Sequence, residues 1–234
     1  MNKQGNTYTI LYASVLVIIV AAILAIISVS LKPMQLANIE VDKKKQILTS
    51  VLIESTAKDA AEKYSKYITD SYVVDAQGNK VEAIDAFNVD VAAEVKKPYE
   101  ERLLPVFVAQ LNEGDVKYIL PIYGAGLWGP IWGYVSVDAD GSTIYGSYFA
   151  HQGETPGLGA EIENPVFQEQ FIGKHLFIDG VMKPVAVMKK GQKPTNGAEF
   201  VDAVSGGTIT SKGVHDMIEN SLLPYAAFLT SIQK

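Results

Sequence analysis

The sequence contains no cysteine, three histidines and a single arginine, Arg102. The absence of cysteine excludes disulfides, thiolate nucleophiles and cysteine-bound iron–sulfur clusters. His151, His175 and His215 are far apart and form no H-x-x-x-H or H-x-x-E-H pattern, so they give little support for a metal site. The net charge of −6 and the lone arginine also make a nucleic acid a poor partner.

A long apolar run marks the N-terminal part of the chain. No charged side chain occurs from Gln4 to Leu31, and the core of the run, Ile10 to Leu31, is 22 residues long. As a helix this core would extend about 33 Å, which is enough to cross a hydrocarbon layer of about 30 Å. The apolar part of a cleaved signal peptide is usually only about 7–15 residues long, so we interpret the run as a retained transmembrane helix.

The lysines around this run give a first indication of its orientation. Lys3 lies on one side, whereas Lys32 and the cluster Lys43–Lys45 lie on the other. Lysine counting alone therefore predicts that the large C-terminal part is cytoplasmic, although the rule loses force for long translocated domains.

The spacing of apolar residues predicts one long amphipathic helix after the membrane, from about Val41 to Ile68. We accordingly divide the chain into four parts. These are a short cytoplasmic N-terminus at 1–9, a transmembrane helix at 10–31, a helical connector at 32–69 and a soluble domain at 70–234.

The soluble domain is predicted to be of the α+β class. Segments 117–124, 131–138 and 142–150 are rich in aromatic and β-branched residues, and Asp138–Gly141 supplies turn residues between the last two. This pattern predicts an antiparallel meander. A tight turn at Val74–Lys80 with short strands on either side is also predicted.

Three further elements are predicted from local pattern. Lys183–Lys190 is typical of a strand, and 97–112 is predicted to be a helix that Pro105 interrupts. The chain is predicted to close with an amphipathic helix from about Ser211, kinked at Pro224. One face of that helix carries Val214, Ile218, Leu222, Tyr225 and Leu229.

The stretch before this last helix, Val201–Val214, combines two glycines with several hydroxyl side chains. Ala203–Gly207 resembles a G-x-S-x-G nucleophile elbow but has alanine in the first position, and no nearby histidine offers a base. No dinucleotide or P-loop glycine pattern is present in the sequence. A hydroxyl-bearing loop at a helix N-terminus suits a phosphate, because free N–H groups and the helix dipole favour an anion. The alternative is that Ser205–Ser211 is only a turn and an N-cap.

The segment Asp202–Thr208, DAVSGGT, resembles the D-x-x-[S/T]-G-A-T motif of the FMN-binding domain family. In that family the final threonine carries FMN through a phosphoester bond. The resemblance therefore implies Thr208 as the acceptor, with Thr210 as the fallback. The chain departs from the motif at Gly207, where the family usually has alanine.

Two other segments make the resemblance more specific. Gly153–Pro165 is similar to the E-T-P-G-L-G segment of membrane-anchored flavoproteins in the sodium-translocating NADH:quinone reductase and Rnf complexes. Gly124–Asp138 resembles the G-x-G-L-W segment of the former, and the Rnf counterpart generally lacks this tryptophan. The chain is thereby identified as a member of the C-subunit family of the reductase.

The resemblance implies a membrane-anchored flavoprotein that relays electrons through covalently bound FMN in a sodium-pumping NADH:quinone oxidoreductase. It implies no catalytic residue and no metal in this chain. It also implies that subunits A, B, D, E and F are partners and that a flavin transferase is needed for maturation. The protein is expected in the bacterial inner membrane with its large domain outside the cytoplasm, on the periplasmic side, contrary to the lysine count. The expected cofactor-binding residues are Thr208, Ser205, Gly206, Gly207, Thr210, Asp202, Trp128, Leu127, Glu154, Thr155, Gly157, Leu158 and Gly159.

Within this set, Trp128 and Leu158 are expected to form an apolar wall for the flavin ring, with ordinary core packing as the alternative for Trp128. Glu154 is expected to be either a flavin contact or an ion-pair partner. Three other functions remain open at this point: the flavin subunit of an Rnf-type ferredoxin:NAD oxidoreductase, a free-standing extracellular flavin reductase, and a cofactor-free anchored binding or assembly protein.

Overall fold

The structure is a computed structural model that describes residues 5–233. The predicted N-terminal segment 1–9 therefore falls partly outside the described residues. The chain divides into two compact units between Lys43 and Lys44.

The first unit consists of the greater part of helix α1, which runs from Asn6 to Ser50. The helix includes the predicted apolar core and continues through Pro33 without interruption. Among residues 5–233, nothing buries its apolar window. By length and composition, α1 is able to span a membrane, as the sequence predicts.

The prediction of a single helix over 41–68 is wrong, because two helices separated by turns occupy this region. Helix α1 ends at Ser50, and helix α2 covers Ala60–Tyr67. Tertiary contacts explain the break: the hydroxyl of Ser136 donates to the carbonyl oxygen of Ser50, and Leu52 takes a left-handed φ of 60°. The predicted boundary between residues 69 and 70 falls inside the first strand.

The second unit is built on a six-stranded sheet in the order β2-β1-β3-β4-β5-β6, with every neighbouring pair antiparallel. The predicted meander is confirmed as β4, β5 and β6, and the predicted turn after β1 is confirmed too. The strands of this sheet are β1 Ile68–Val74, β2 Lys80–Val81, β3 Leu104–Asn112, β4 Asp115–Ala125, β5 Pro130–Asp138 and β6 Ile144–His151.

The prediction of a helix over 97–112 is wrong. Only a short 3-10 turn, Tyr99–Glu101, precedes β3. Strand β3 lies between β1 and β4, so Val106 and Phe107 are buried on opposite faces of the sheet and the β-branched, aromatic sequence suits a strand better than a helix. Pro105 is tolerated because it precedes the pairing with β4, which begins at Phe107.

Both faces of the sheet are covered. One apolar cluster includes Ile47 at the end of α1 together with Phe107 and Tyr134. The other cluster includes Leu120 and Phe149 and is covered by the C-terminal helices. The remaining elements are α3 Val91–Glu94, α4 Pro165–Gln168, β7 Phe177–Ile178, β8 Val181–Met182, β9 Ala186–Met188, β10 Phe200–Asp202, α5 Thr208–Leu222, α6 Ala226–Ile232 and 3-10 turns at Ala86–Asn88, Gly159–Glu163, Glu169–Phe171 and Leu223–Tyr225.

Helix α5 packs directly on β4. A Cβ atom at Gly213 would clash with the carbonyl oxygen of Ala125, so the two backbones approach as closely as glycine allows. The predicted apolar face of α5 and its continuation is confirmed as buried. At Pro224, where the sequence predicts a kink, the structure has the 3-10 turn Leu223–Tyr225, which separates α5 from α6. The close packing fixes the N-terminus of α5 beside the end of β4.

Candidate cofactor site

Three segments that are distant in sequence meet at the N-terminus of α5. The first is the β4–β5 turn, closed by a 2.8 Å hydrogen bond from the Gly126 N–H to the Gly129 carbonyl. The second is the loop after β6, in which the Leu158 N–H donates to the Thr155 carbonyl. The third is the start of α5. Together they enclose a pocket of about 210 Å³, lined by Leu127, Glu154, Thr155, Leu158, Gly159, Gly206, Gly207, Thr208, Ile209 and Thr210.

The N-terminus of α5 is open toward this pocket. Gly207 is the N-cap, and within residues 5–233 no side chain accepts a hydrogen bond from the first-turn N–H groups. Gly206, at φ +76°, turns the chain into the helix, and a Cβ atom there would lie 2.6 Å from the Leu158 Cδ2. The first N–H groups of a helix have no intrahelical partner, so they present donors and a partial positive charge to an anion.

The two candidate acceptor threonines lie in different surroundings. Thr208 is the first residue of α5 and is exposed. Thr210 is only 2% exposed, and its hydroxyl donates to the Glu154 Oε2 at 2.5 Å. Side chains two residues apart on a helix point about 200° away from each other. This explains why Thr208 is exposed while Thr210 is buried.

Glu154 is the buried polar centre of the site. It is 4% exposed, and its Oε1 accepts from the Trp128 backbone N–H at 2.8 Å while its Oε2 accepts from Thr210. Glycines on both sides make room for the carboxylate: a Cβ atom at Gly126 would lie 2.5 Å from Oε1, and one at Gly159 would lie 2.5 Å from Oε2. Glu154 was expected to be a flavin contact or an ion-pair partner. Among the described residues its carboxylate instead accepts two hydrogen bonds from neutral groups.

An exposed apolar rim surrounds the pocket. The rim consists of Leu127, Trp128, Leu158 and Ile209, whose exposed fractions are 47%, 69%, 44% and 58%. The alternative of core packing for Trp128 is thereby excluded. Exposed apolar groups clustered at a pocket are typical of a surface that a ligand or partner covers.

All but four of the predicted cofactor-binding residues line the pocket. Trp128 lies beside it, through the bond from its N–H to Glu154, and Ser205 is exposed in the turn before α5. Asp202 belongs to β10, where its N–H donates to Gln170, and the Gly157 N–H donates to Glu161, so neither residue lines the pocket. Sequence reasoning missed Ile209, although its place between two predicted threonines was a usable signal.

The three histidines have structural partners. His151 Nδ1 accepts from the Glu154 N–H at 3.1 Å, His215 Nδ1 accepts from the Val187 N–H at 3.3 Å, and His175 pairs with Glu199. Across residues 5–233 there is no group of three or more metal-ligating side chains.

Positive charge at the site comes from the helix rather than from side chains. Lys212, on α5, pairs with Asp216 at 2.8 Å, and this hydrogen bond and charge raise the pKa of Lys212. Arg102 is buried near Asn220, which belongs to the last turn of α5. An anion in the pocket would therefore be held mainly by the first-turn N–H groups.

Comparison with known proteins gives a consistent result. The FMN-binding domain family profile matches residues 126–223. The C subunit of the Na(+)-translocating NADH-quinone reductase from Vibrio vulnificus is 32% identical, and the match spans 92% of this chain and 91% of the relative. The Pasteurella multocida protein of the same name is 35% identical, and the match spans 92% and 89%.

Solved structures agree with these relatives. The crystal structure of the corresponding protein from Parabacteroides distasonis is 50% identical, with a TM-score of 0.80, and the match covers 86% of this chain and 97% of that one. Shewanella oneidensis NqrC is 25% identical with a TM-score of 0.68, and the match covers 83% and 98%.

Proposed function

Since the chain belongs to the C-subunit family of the Na(+)-translocating NADH-quinone reductase, we propose that it carries FMN on Thr208 and relays electrons within that complex. It is a flavoprotein subunit of this oxidoreductase, and other subunits of the complex are its partners. The covalent bond, the acceptor residue and the relay are the proposed part.

One observation carries the choice of acceptor: Thr208 is an exposed hydroxyl at the first position of an uncapped helix, on the wall of the pocket. A phosphate esterified to its oxygen would lie next to the first-turn N–H groups. Those groups have no side-chain partner within the described residues, so the residues present fit a phosphate. Thr210 is a poor acceptor by comparison, because it is buried and its hydroxyl is already donated to Glu154.

Attachment requires an activated flavin phosphate. The Thr208 oxygen would attack the FMN phosphorus of a flavin dinucleotide such as FAD, forming the phosphoester and breaking the pyrophosphate bond. The hydroxyl proton leaves, and AMP departs with the bonding electron pair. A separate flavin transferase supplies the catalysis.

The size of the pocket bears on how the ring is held. At about 210 Å³ the pocket is smaller than the roughly 300–1,000 Å³ that usually encloses a ligand of this size. The phosphate and only part of the flavin fit inside, and the apolar rim formed by Leu127, Trp128, Leu158 and Ile209 provides contacts for the remainder. A covalent bond compensates for this shallow enclosure, and an exposed cofactor edge is accessible to redox partners.

When bound, FMN supplies the electron-transfer chemistry, and the chain supplies binding, orientation and electrostatics. The rim side chains exclude water from one side of the site, and the helix N-terminus fixes the phosphate end. We further propose that subunits A, B, D, E and F are the partners and that the domain is periplasmic, with α1 as its single membrane anchor.

Flavin fluorescence on a denaturing gel tests the function, because only a covalently bound flavin stays on the protein band. We expect the wild-type chain, produced with a flavin transferase, to fluoresce and Thr208→Ala to be dark. The substitution is exposed, so the folded chain should change in stability by less than about 0.5 kcal/mol. A Thr208→Ala band that still fluoresces would contradict the assignment, and a dark Thr210→Ala band in the same experiment would move the acceptor to Thr210.

A further inference from the structure

The buried carboxylate Glu154 connects all three segments of the site. It lies in the loop after β6, accepts from the Trp128 N–H in the β4–β5 turn, and accepts from the Thr210 hydroxyl in the first turn of α5. Its own N–H donates to His151 Nδ1 at the end of β6. Each bond therefore ties a loop to a different element.

Both oxygens of this side chain are engaged within the protein. Oε1 and Oε2 each accept one bond, and the glycine Cα atoms of Gly126 and Gly159 lie against them so closely that no Cβ would fit. Glu154 is only 4% exposed, although it forms part of the pocket wall. Because its two oxygens already accept bonds from two other segments, a role in arranging the site explains Glu154 better than a flavin contact alone.

The bond to Thr210 has a consequence for Thr208. The rotation of the first turn of α5 is fixed when the Thr210 hydroxyl points to Glu154, and Thr208 then faces the opposite direction, toward solvent. The same bond occupies the hydroxyl that would otherwise compete as an acceptor. Since the N-terminus of α5 has no side-chain cap within the described residues, this bond provides order that a cap would normally provide.

We propose that Glu154 is a positioning residue, which orders the first turn of α5 through Thr210 and so presents Thr208 for flavin attachment. This inference rests on the proposed function for its role in attachment. The hydrogen bonds of Glu154 themselves do not depend on the flavin. The positioning role and the proposed function can therefore be tested separately.

A matched pair of variants separates the hydrogen bonds from the charge. In Glu154→Gln, the amide oxygen accepts from the Trp128 N–H and the amide NH₂ donates to the Thr210 oxygen, so both bonds persist without the charge. In Glu154→Ala both bonds are lost. A second pair of variants changes Thr210. Thr210→Ser keeps the hydroxyl, whereas Thr210→Val keeps the shape of the side chain but has no hydroxyl.

The full-length chain in detergent is incubated with a flavin transferase and FAD, and the initial rate and position of attachment are followed by mass spectrometry. We expect the wild type, Glu154→Gln and Thr210→Ser to be modified at Thr208 at rates within about twofold. Glu154→Ala and Thr210→Val should be slower by about tenfold, equivalent to about 1.4 kcal/mol. Wild-type rates in both of these variants would overturn the proposal.

Amide hydrogen exchange of the unmodified chains provides the readout that is independent of flavin. We expect faster exchange of the Trp128 amide in Glu154→Ala than in the wild type and Glu154→Gln, with unchanged exchange in β5. If Glu154→Ala fails to fold, the Thr210 pair decides the outcome. Faster Trp128 exchange in Glu154→Ala together with an unmodified wild-type chain would refute the proposed function while retaining the connection. A modified wild-type chain with unchanged exchange in Glu154→Ala would refute only the positioning role.

Discussion

The two ends of helix α5 are built differently. At the C-terminal end the buried guanidinium of Arg102 donates to the carbonyl oxygens of Asn220, Val95 and Lys97 at 2.7–2.9 Å. At the N-terminal end Gly207 is the N-cap, no side chain among the described residues caps the helix, and Thr208, its first residue, is exposed. The lone arginine therefore stabilises the fold, whereas an anion at the other end of α5 has only backbone donors to bind it.

This division has a physical basis. Arg102 is 5% exposed, and its burial lowers the pKa of the guanidinium, which nevertheless stays charged because arginine is not deprotonated in proteins. Its charge is stabilised by carbonyl oxygens, including one from the negative end of α5. At the N-terminal end of α5 the same guanidinium would be disfavoured, because it would lie against the positive end of the helix dipole. An uncapped N-terminus costs some stability but remains available to an anion.

The largest expected effect comes from removing the Arg102 hydrogen bonds at the C-terminal end of α5. Arg102→Met should destabilise the full chain by about 3 kcal/mol, because a buried charge and its bonds to three partly buried carbonyl oxygens are lost. Arg102→Lys keeps the charge but not the planar fork, so we expect an intermediate loss. Urea unfolding followed by tryptophan fluorescence measures both, and a loss below about 1 kcal/mol in Arg102→Met would contradict the stabilising role.

An intermediate effect is expected when charge is added to the N-terminal end. Ile209→Glu and Ile209→Lys remove the same rim side chain and place opposite charges in the first turn of α5. The acidic variant should be the more stable by about 1 kcal/mol at low salt, since an anion is favoured by the N-terminal dipole. It should also accept flavin about fivefold more slowly than the lysine variant, because its carboxylate repels the phosphate.

Thermal unfolding and the rate of flavin attachment, each measured at low and high salt, test this pair. Both differences should shrink as salt increases, because the added charges are exposed. If the glutamate variant were both less stable and faster to accept flavin, the anion-binding character of this helix end would be wrong.

The smallest effect is expected for Gly207→Ala, the substitution toward the usual family motif. A Cβ atom there would lie 3.2 Å from the Leu158 carbonyl oxygen and 3.3 Å from the Gly159 Cα. A shift of the loop by a few tenths of an ångström accommodates a methyl group, so attachment should remain within about twofold of wild type. Gly207→Val is the control and should be slower, and a complete loss in the alanine variant would show that the loop cannot move.

Motifs and hydrophobic periodicity predicted much of the fold. Local pattern was enough to predict three elements: the apolar run Ile10–Leu31, the meander and the buried face of α5. In each of them the alternation of apolar and polar side chains, or its absence, reflects which side chains are buried. The segment 97–112 was mispredicted as a helix because its local pattern is ambiguous. Pairing on both sides, with β1 and β4, decides its structure. The end of α1 at Ser50 likewise depends on a contact with Ser136, 86 residues away.

The candidate site, too, could be predicted only where it depends on local motifs. DAVSGGT and ETPGLG identified Thr208 and most of the pocket lining, because the resemblance carries them residue by residue. The role of Glu154 could not be predicted, since its partners lie 26 and 56 residues away along the chain. The exposure of Trp128 was equally open, because an indole suits a core and a ligand surface alike.

Composition, hydrophobic period and motif are local properties of the chain, and they were enough to predict the apolar N-terminal helix, the α+β class and the segments that form the site. Which threonine is exposed, which one bonds to Glu154 and where the lone arginine lies depend on the folded arrangement. Those outcomes depend on distances between segments far apart in sequence, and close packing of α5 on β4 sets these distances.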